Sequence, residues 1–186
     1  FAPLLVAVWL ATSPLVAAER VVLLEKFSAT WCGHCMTASR AVDDLVADHP
    51  DEFIPLEIFS ATNGRYWLPW GVSRAFSFYG LSAYPTAWFD GTTATVGAGD
   101  AYASYLNAIT SRSNVATDVT IDLLATPLGG RTYDITITVG LEAGAPARDM
   151  QLYVVEALDH YGVYDDLATV PRNTLRHVLE SGYSVN

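Results

Sequence analysis

The two cysteines of this chain, Cys32 and Cys35, constrain its fold more than any other pair of residues. Only two residues separate them. They lie where an apolar, strand-like segment, 21–27, meets a segment of helical periodicity, 33–48. We therefore expect Cys32 at the N-terminus of a helix and Cys35 about one turn later on the same helix face.

That position favours redox chemistry. The unpaired N–H groups and the positive end of the helix dipole favour the thiolate form of Cys32. Cys35 is near enough to close a disulfide or to attack a mixed disulfide. Gly33 removes side-chain bulk from the link, and His34 can add positive charge that stabilises the reduced form. We interpret Cys32 as the attacking thiol and Cys35 as the resolving one.

Other uses of a cysteine pair fit less well. A structural zinc site needs four ligands, but there is no second cysteine pair, and His49, His160 and His177 lack ligand-like spacing. Haem attachment needs a histidine directly after the second cysteine, where Met36 stands. A purely structural disulfide is a further alternative. Across so short a loop, however, a disulfide restrains the unfolded chain very little and therefore adds little stability. We therefore expect a redox couple with no metal and no dissociable cofactor.

Length and charge limit the possible classes of protein. A chain of 186 residues, 51% hydrophobic, can form one large or two small domains. Its net charge of −10 argues against nucleic acid or an anionic membrane surface as a partner.

Residues 1–18 have the pattern of a signal peptide truncated at its start. They carry no charge, and an apolar stretch, 4–10, precedes the small residues at 16–18. A membrane span is the alternative, but Pro3 and Pro14 interrupt a segment that is already short for one. We expect an exported protein, periplasmic or extracellular, with outer-membrane association as a further option and no span in the mature chain.

Patterning after the first helix predicts alternating elements. A strand is expected at 53–59, a short helix at 72–79, a strand–turn–strand hairpin at 84–96 and a helix that Asp100 caps. The predicted order is strand, helix, strand, helix, strand, strand, helix.

The loop before the second helix carries Tyr66, Trp67 and Trp70. These rings could form an apolar patch that grips unfolded polypeptide, or they could cover the core beneath a long loop. We favour the second interpretation because aromatic side chains are commonly buried.

Residues 19–113 resemble a thioredoxin-like domain, and the Gly-His pair between the cysteines resembles the active site of protein disulfide isomerases. The segment 79–86, Tyr-Gly-Leu-Ser-Ala-Tyr-Pro-Thr, is similar to a second motif of that family. In the family the proline of this segment is cis and faces the cysteine pair, which implies a cis bond before Pro85. That bond would present the backbone of Tyr84 and Thr86 to a substrate peptide.

One position departs from the family pattern. Many members carry a buried carboxylate six residues before the first cysteine, where this chain has its only lysine, Lys26, beside Glu25. A buried ammonium would stabilise the Cys32 thiolate and could relay a proton. Alternatively, Lys26 reaches solvent or pairs with an acid. With Trp31, Gly33 and His34, it completes the residues expected to tune the redox couple.

Residues 114–186 have a different pattern. Alternating segments at 118–123 and 133–139 predict a half-buried β-hairpin, with further strands at 150–158 and 173–179. This β-rich domain resembles part of a β-sandwich and is expected to be incomplete. In this arrangement, a thioredoxin-like half followed by a β-rich half, the chain resembles exported bacterial proteins that are related to outer-membrane proteins.

The predicted fold class is thus an α/β thioredoxin-like domain followed by a mostly β domain. The predicted function is that of an exported thiol–disulfide oxidoreductase, with oxidase or isomerase direction. It would act on protein or peptide thiols and disulfides, and a redox partner would recycle its couple. The alternatives are a dedicated reductase, or a surface binding or assembly protein with a vestigial cysteine pair.

Overall fold

The computed structural model describes residues 18, 20–160 and 171–185. The predicted signal peptide, 1–18, lies outside these residues except for Ala18. The chain forms two compact units: one combines described residues of Glu19–Ala116 and Ala147–Asn186, and the other contains Thr117–Pro146.

The strands of the described residues are β1 (Val22–Ser28), β2 (Phe53–Phe59), β3 (Thr86–Phe89), β4 (Thr93–Val96), β5 (Val119–Gly129), β6 (Thr132–Leu141), β7 (Met150–Leu158) and β8 (Thr174–Val185). The helices are α1 (Gly33–Asp48), α2 (Pro69–Ser73) and α3 (Ala101–Ser113), and a π-helical turn, Arg74–Phe78, continues α2. None of the described helices combines the length and apolar character that a membrane crossing requires.

The predicted order of elements over 19–113 is confirmed, with boundaries shifted by up to three residues. The helix expected to begin at Val72 begins at Pro69 instead. Proline is favoured in the first turn of a helix, because its fixed φ suits that turn and its missing N–H would have no partner there.

The first unit is built on a six-stranded mixed sheet in the order β4-β3-β1-β2-β8-β7. β1 runs parallel to β2 and antiparallel to β3. Successive side chains of a strand point to opposite faces, so Val22 and Leu24 pack towards α1 and α3, whereas Phe27 packs on the other face. The cysteine turn at the start of α1 therefore follows directly from the central strand.

The C-terminal strands divide differently from the prediction. Instead of one β-rich domain over 114–186, β7 and β8 extend the sheet of the first unit, and β5 and β6 form the other unit. Every residue of β2 except Ile54 is buried, as expected of a strand with neighbours on both sides. β8 supplies that second neighbour: Asn173 accepts a hydrogen bond from the Glu57 N–H, and Leu175 joins the core.

The unit Thr117–Pro146 contains the predicted hairpin, with longer strands. β5 and β6 pair antiparallel, and Gly130 and Arg131 make the turn between them; φ is positive at Gly129, 110°, and at Gly130, 60°. Ile121 and Leu123 face Val139 and Ile137 across the strands and make one side apolar. That side was predicted to be half-buried, but Ile121 and Leu123 are exposed.

Removal of a leucine side chain should lower the free energy of unfolding by different amounts in the two units. Leu175→Ala should lower the free energy of unfolding by about 2–5 kcal/mol, because Leu175 is buried in the core of the sheet. Leu123→Ala, on the exposed side of the hairpin, should change it by no more than about 0.5 kcal/mol. Urea unfolding of both variants measures the difference. Equal losses would show that β8 is not part of the main core.

Candidate redox site

The site begins with a disulfide between Cys32 and Cys35 at the N-terminus of α1. Cys32 is the N-cap residue, and its Cα lies 5.3 Å from that of Cys35. The backbone N–H of Cys35 donates to Cys32 Sγ at 3.2 Å. Cys32 is 8% exposed and Cys35 is 0% exposed. Solvent therefore reaches the pair through Cys32, at the helix position predicted for it.

Apolar side chains surround the pair. Both cysteines pack in a cluster with Ala29, Phe59 and Ala61, and the partly buried Met36, Tyr66 and Tyr84 pack against it. A cluster of this kind leaves few polar partners for sulfur except the N–H groups of the helix N-terminus.

Trp31 lies at the outer edge of this cluster. Its side chain is 58% exposed, and its Nε1–H donates to Asn63 Oδ1 at 3.1 Å. Its ring meets the Tyr84 ring edge-on, with centroids 6.0 Å apart. Trp31 therefore connects the cysteine turn to the segment that carries Pro85.

The peptide bond between Tyr84 and Pro85 is cis, as the family resemblance implied. The Tyr84 hydroxyl lies 3.0 Å from Ser60 Oγ, and burial raises the pKa of Tyr84. Thr86 lies opposite Phe27 of β1 and is also paired with β4, so neighbouring strands flank it on both sides. Tyr84, one of the three predicted substrate-binding residues, packs against the cysteine cluster.

Lys26 does not reach solvent. It is buried, and its three ammonium hydrogens have three acceptors: Ser28 Oγ at 2.9 Å, Ser39 Oγ at 3.0 Å and Glu57 Oε1 at 2.7 Å. Burial lowers the pKa of Lys26, and the Glu57 carboxylate opposes that shift. Of the alternatives left open by the sequence, Lys26 therefore pairs with an acid.

Ser39 connects the ammonium of Lys26 to the cysteine turn. The Ser39 hydroxyl accepts from Lys26 Nζ and donates to the Cys35 carbonyl oxygen at 3.0 Å. The buried cation is thus one hydroxyl away from the backbone of the second cysteine. A change at Lys26 can therefore reach the cysteine pair by a short path.

Sequence reasoning missed both Glu57 and Ser39. Glu57 had a signal, since it is the one charged residue of an otherwise apolar strand, and a buried charge needs a partner. Ser39 had none, because a serine in a helix usually bonds locally or faces solvent.

Glu25 lies on the opposite face of the sheet from Lys26. Its carboxylate accepts from Arg74 Nε at 2.6 Å and Nη2 at 2.8 Å, and from the Tyr79 hydroxyl. Burial, with the hydrogen bond to Glu25, raises the pKa of Tyr79. This network holds the π-helical turn against the sheet and does not contact the cysteines.

Gly33 and His34 are both exposed in the turn between the cysteines. A Cβ built on Gly33 would meet no heavy atom within 4 Å. A side chain at position 33 would therefore have room in this structure. In the part of the chain that the structure describes, no group of three or more His, Cys, Asp or Glu is placed to hold a metal ion.

The aromatic loop partly covers the core, as favoured above. Tyr66 meets Phe59 with ring centroids 6.2 Å apart, and Trp70 meets Tyr153 of β7 at 6.4 Å. Trp67, in contrast, is exposed.

No protein-family model and no curated protein matches this sequence. A crystal structure of an Agrobacterium tumefaciens protein superposes on 91% of this chain and 78% of its own, with a TM-score of 0.60 and 16% sequence identity. At that identity the two chains share a fold, and nothing follows about a shared activity.

Two further solved structures match about half of the chain. The Drosophila melanogaster thioredoxin Deadhead is 18% identical over 49% of this chain and 80% of its own, with a TM-score of 0.38. A Chlorobium tepidum protein described as the thiol:disulfide interchange protein DsbE is 18% identical over 50% and 79%, with a TM-score of 0.39. TM-scores this low support no inference about the fold or the function of this chain.

Proposed function

We propose that this chain is a thiol–disulfide oxidoreductase that acts on protein or peptide thiols and disulfides through Cys32 and Cys35. The observation that carries the proposal is a cysteine pair at a helix N-terminus in which Cys32 is 8% exposed and Cys35 is 0% exposed. A structural disulfide has no need of that asymmetry, whereas stepwise thiol–disulfide exchange depends on it.

In the oxidising direction, a substrate thiolate attacks Cys32 Sγ. The bond between the two cysteines breaks, a mixed disulfide forms and Cys35 leaves as a thiolate. A second substrate thiolate then attacks the substrate sulfur of the mixed disulfide and releases Cys32 as a thiolate. Two electrons pass from the substrate to the pair, and a redox partner that accepts them restores the disulfide.

The environment of Cys32 supports its thiolate form. The Cys35 N–H that lies 3.2 Å from Cys32 Sγ would donate a charge-assisted hydrogen bond to a thiolate. The helix dipole adds to that stabilisation. A stabilised thiolate favours the reduced pair, and we therefore propose the oxidase or isomerase direction over the reductase direction.

Tyr84 is the residue we propose for holding the substrate backbone. It precedes the cis proline, packs against the cysteine cluster and lies two residues before the start of β3. An extended substrate segment can pair with such a backbone as an added strand, which would bring its cysteine to Cys32.

We also propose that the protein acts outside the cytoplasm, in the periplasm or beyond it. The support is the uncharged, apolar N-terminal stretch with small residues at 16–18. An oxidising couple also suits a compartment in which disulfides persist.

The exchange mechanism predicts that the Cys35→Ser and Cys32→Ser variants trap different amounts of a peptide as a mixed disulfide. Cys35→Ser should accumulate a mixed disulfide between Cys32 and a one-cysteine peptide supplied as its disulfide with a small thiol: the Cys32 thiolate attacks the peptide sulfur, the small thiolate leaves, and the resolving thiol is missing. Cys32→Ser should trap little, because Cys35 is fully buried. Mass spectrometry of the adducts measures both. Equal trapping by the two variants would contradict the assigned roles.

A glutathione titration of the wild-type pair tests the direction. The expected potential is about −180 mV or higher, as in disulfide isomerases. A value near or below about −270 mV would instead indicate a reductase or an inert disulfide.

The role of the Lys26–Glu57 pair needs a paired substitution. Lys26→Met alone leaves a buried carboxylate unpaired and should cost about 3–5 kcal/mol of stability. Lys26→Met with Glu57→Leu removes both charges and should recover most of that loss. In the double variant we expect Cys32 alkylation to shift to higher pH, because the hydrogen bonds through Ser39 join the ammonium rather than the carboxylate to the cysteine turn.

Circular dichroism in urea checks the stability of both variants, and iodoacetamide rates against pH check the thiolate. A folded double variant with an unchanged alkylation profile and potential would show that the pair is structural and does not tune the couple.

A further inference from the structure

Two large aromatic side chains beside Tyr84 are exposed to solvent. The rings of Trp31 and Phe76 each meet the Tyr84 ring edge-on, with centroids 6.0 and 6.5 Å away, and the two side chains are 58% and 46% exposed. Tyr84 in turn packs against the cysteine cluster. A single exposed ring is ordinary on a protein surface, but exposed rings that share a neighbour beside a reactive group indicate a binding surface.

Phe76 owes its position to the π-helical turn, Arg74–Phe78. Arg74, the first residue of the turn, donates two hydrogen bonds to the buried Glu25 carboxylate, at 2.6 and 2.8 Å. Ala75 is 0% exposed and packs in the core on that face of the sheet. The residue after the turn, Tyr79, donates its hydroxyl to the same carboxylate. Turns of this kind are rare and are frequent at functional sites, and this one holds the exposed Phe76 ring on an anchored backbone.

The side-chain spacing of an extended substrate fits this arrangement. Successive side chains of a strand point to opposite faces, so side chains two residues apart share a face and lie about 6.6 Å apart. The reacting cysteine of a substrate has to point to Cys32, and the side chains two residues before and after it then point to the protein as well. The Phe76 ring lies 6.5 Å from the Tyr84 ring. A substrate paired along the Tyr84 backbone therefore brings one of these side chains to Phe76.

We propose that Phe76 is a specificity-determining residue, which binds an aromatic side chain two residues away from the reacting cysteine of an unfolded polypeptide. This inference rests on the proposed function and narrows its substrate class. Aromatic rings prefer edge-on or offset contacts with centroids about 4.5–7 Å apart, and the exposed part of the Phe76 ring leaves room for one. Side chains one and three residues from the cysteine point to the other face of the substrate and do not reach Phe76.

The test uses short peptides that contain one central cysteine and one phenylalanine among threonines. The phenylalanine stands one, two or three residues before or after the cysteine. Each peptide is supplied as its disulfide with a coloured thiol of low pKa and reacts with the Cys35→Ser variant of the full chain. The Cys32 thiolate attacks the peptide sulfur, a mixed disulfide forms, and the coloured thiolate leaves and is measured.

The phenylalanine also changes the intrinsic reactivity of the peptide. Each second-order rate constant is therefore divided by that of the same peptide with a free small thiol. After this correction, phenylalanine two residues from the cysteine on one side should react about fivefold faster than phenylalanine one or three residues away on that side. Phe76→Ala should remove this advantage. Phe76→Leu, which keeps an apolar side chain and replaces Phe76→Ala if the latter fails to fold, should weaken it.

Phe78→Ala is the matched control. Phe78 is a phenylalanine of the same π-helical turn and is 66% exposed, but its ring meets Tyr79, with centroids 4.8 Å apart. This variant should keep the full advantage of the phenylalanine two residues from the cysteine. Circular dichroism checks that the variants are folded.

The outcomes separate the two proposals. Equal corrected rate constants for all positions of the phenylalanine would overturn the role of Phe76 and leave the oxidoreductase function intact. An advantage that persists unchanged in Phe76→Ala, or that disappears equally in Phe78→Ala, would also overturn that role. If Cys32 reacted with none of the peptides faster than the free thiol does, the proposed function itself would be overturned.

Discussion

The buried ion pair between Lys26 and Glu57 joins the elements on which the redox site is built. Lys26 lies on β1, Glu57 on β2, and Ser39 on α1 completes the contacts of the ammonium. Burying either charge alone would be costly, so these elements are held together by the requirement that the charges meet. The Cys35 carbonyl accepts from the same serine, which fixes the cysteine turn relative to the sheet.

The two consecutive charges of β1 have different tasks because a strand alternates its faces. Lys26 points to the α1 face, below the cysteines, while Glu25 points to the opposite face and binds Arg74 and Tyr79. One face thus supports the cysteine turn and the other secures the turn after α2. β8 adds contacts to this arrangement, since it pairs with β2 and brings Arg176 to the Tyr66 ring.

Much of the candidate site could be predicted from local sequence. The position of Cys32 at a helix start follows from where an apolar run meets helical periodicity, which is a local property of the chain. The cis bond before Pro85 could be expected only from the family resemblance, because an isolated X-Pro bond is mostly trans. Glu57 had a local signal as the one charged residue of β2, but its pairing with Lys26, 31 residues away, depends on how β1 and β2 align.

By itself, the sequence determined the cysteine pair, the order of elements through α3 and the two β-strands of the hairpin, since turn residues and hydrophobic periodicity act over short distances. Only the tertiary structure decided that β7 and β8 extend the first sheet while the hairpin forms its own unit. An alternating pattern specifies a strand and its buried face, but the neighbour it pairs with depends on long-range packing. For the same reason, only the fold could bring Arg65 and Arg176 to one ring.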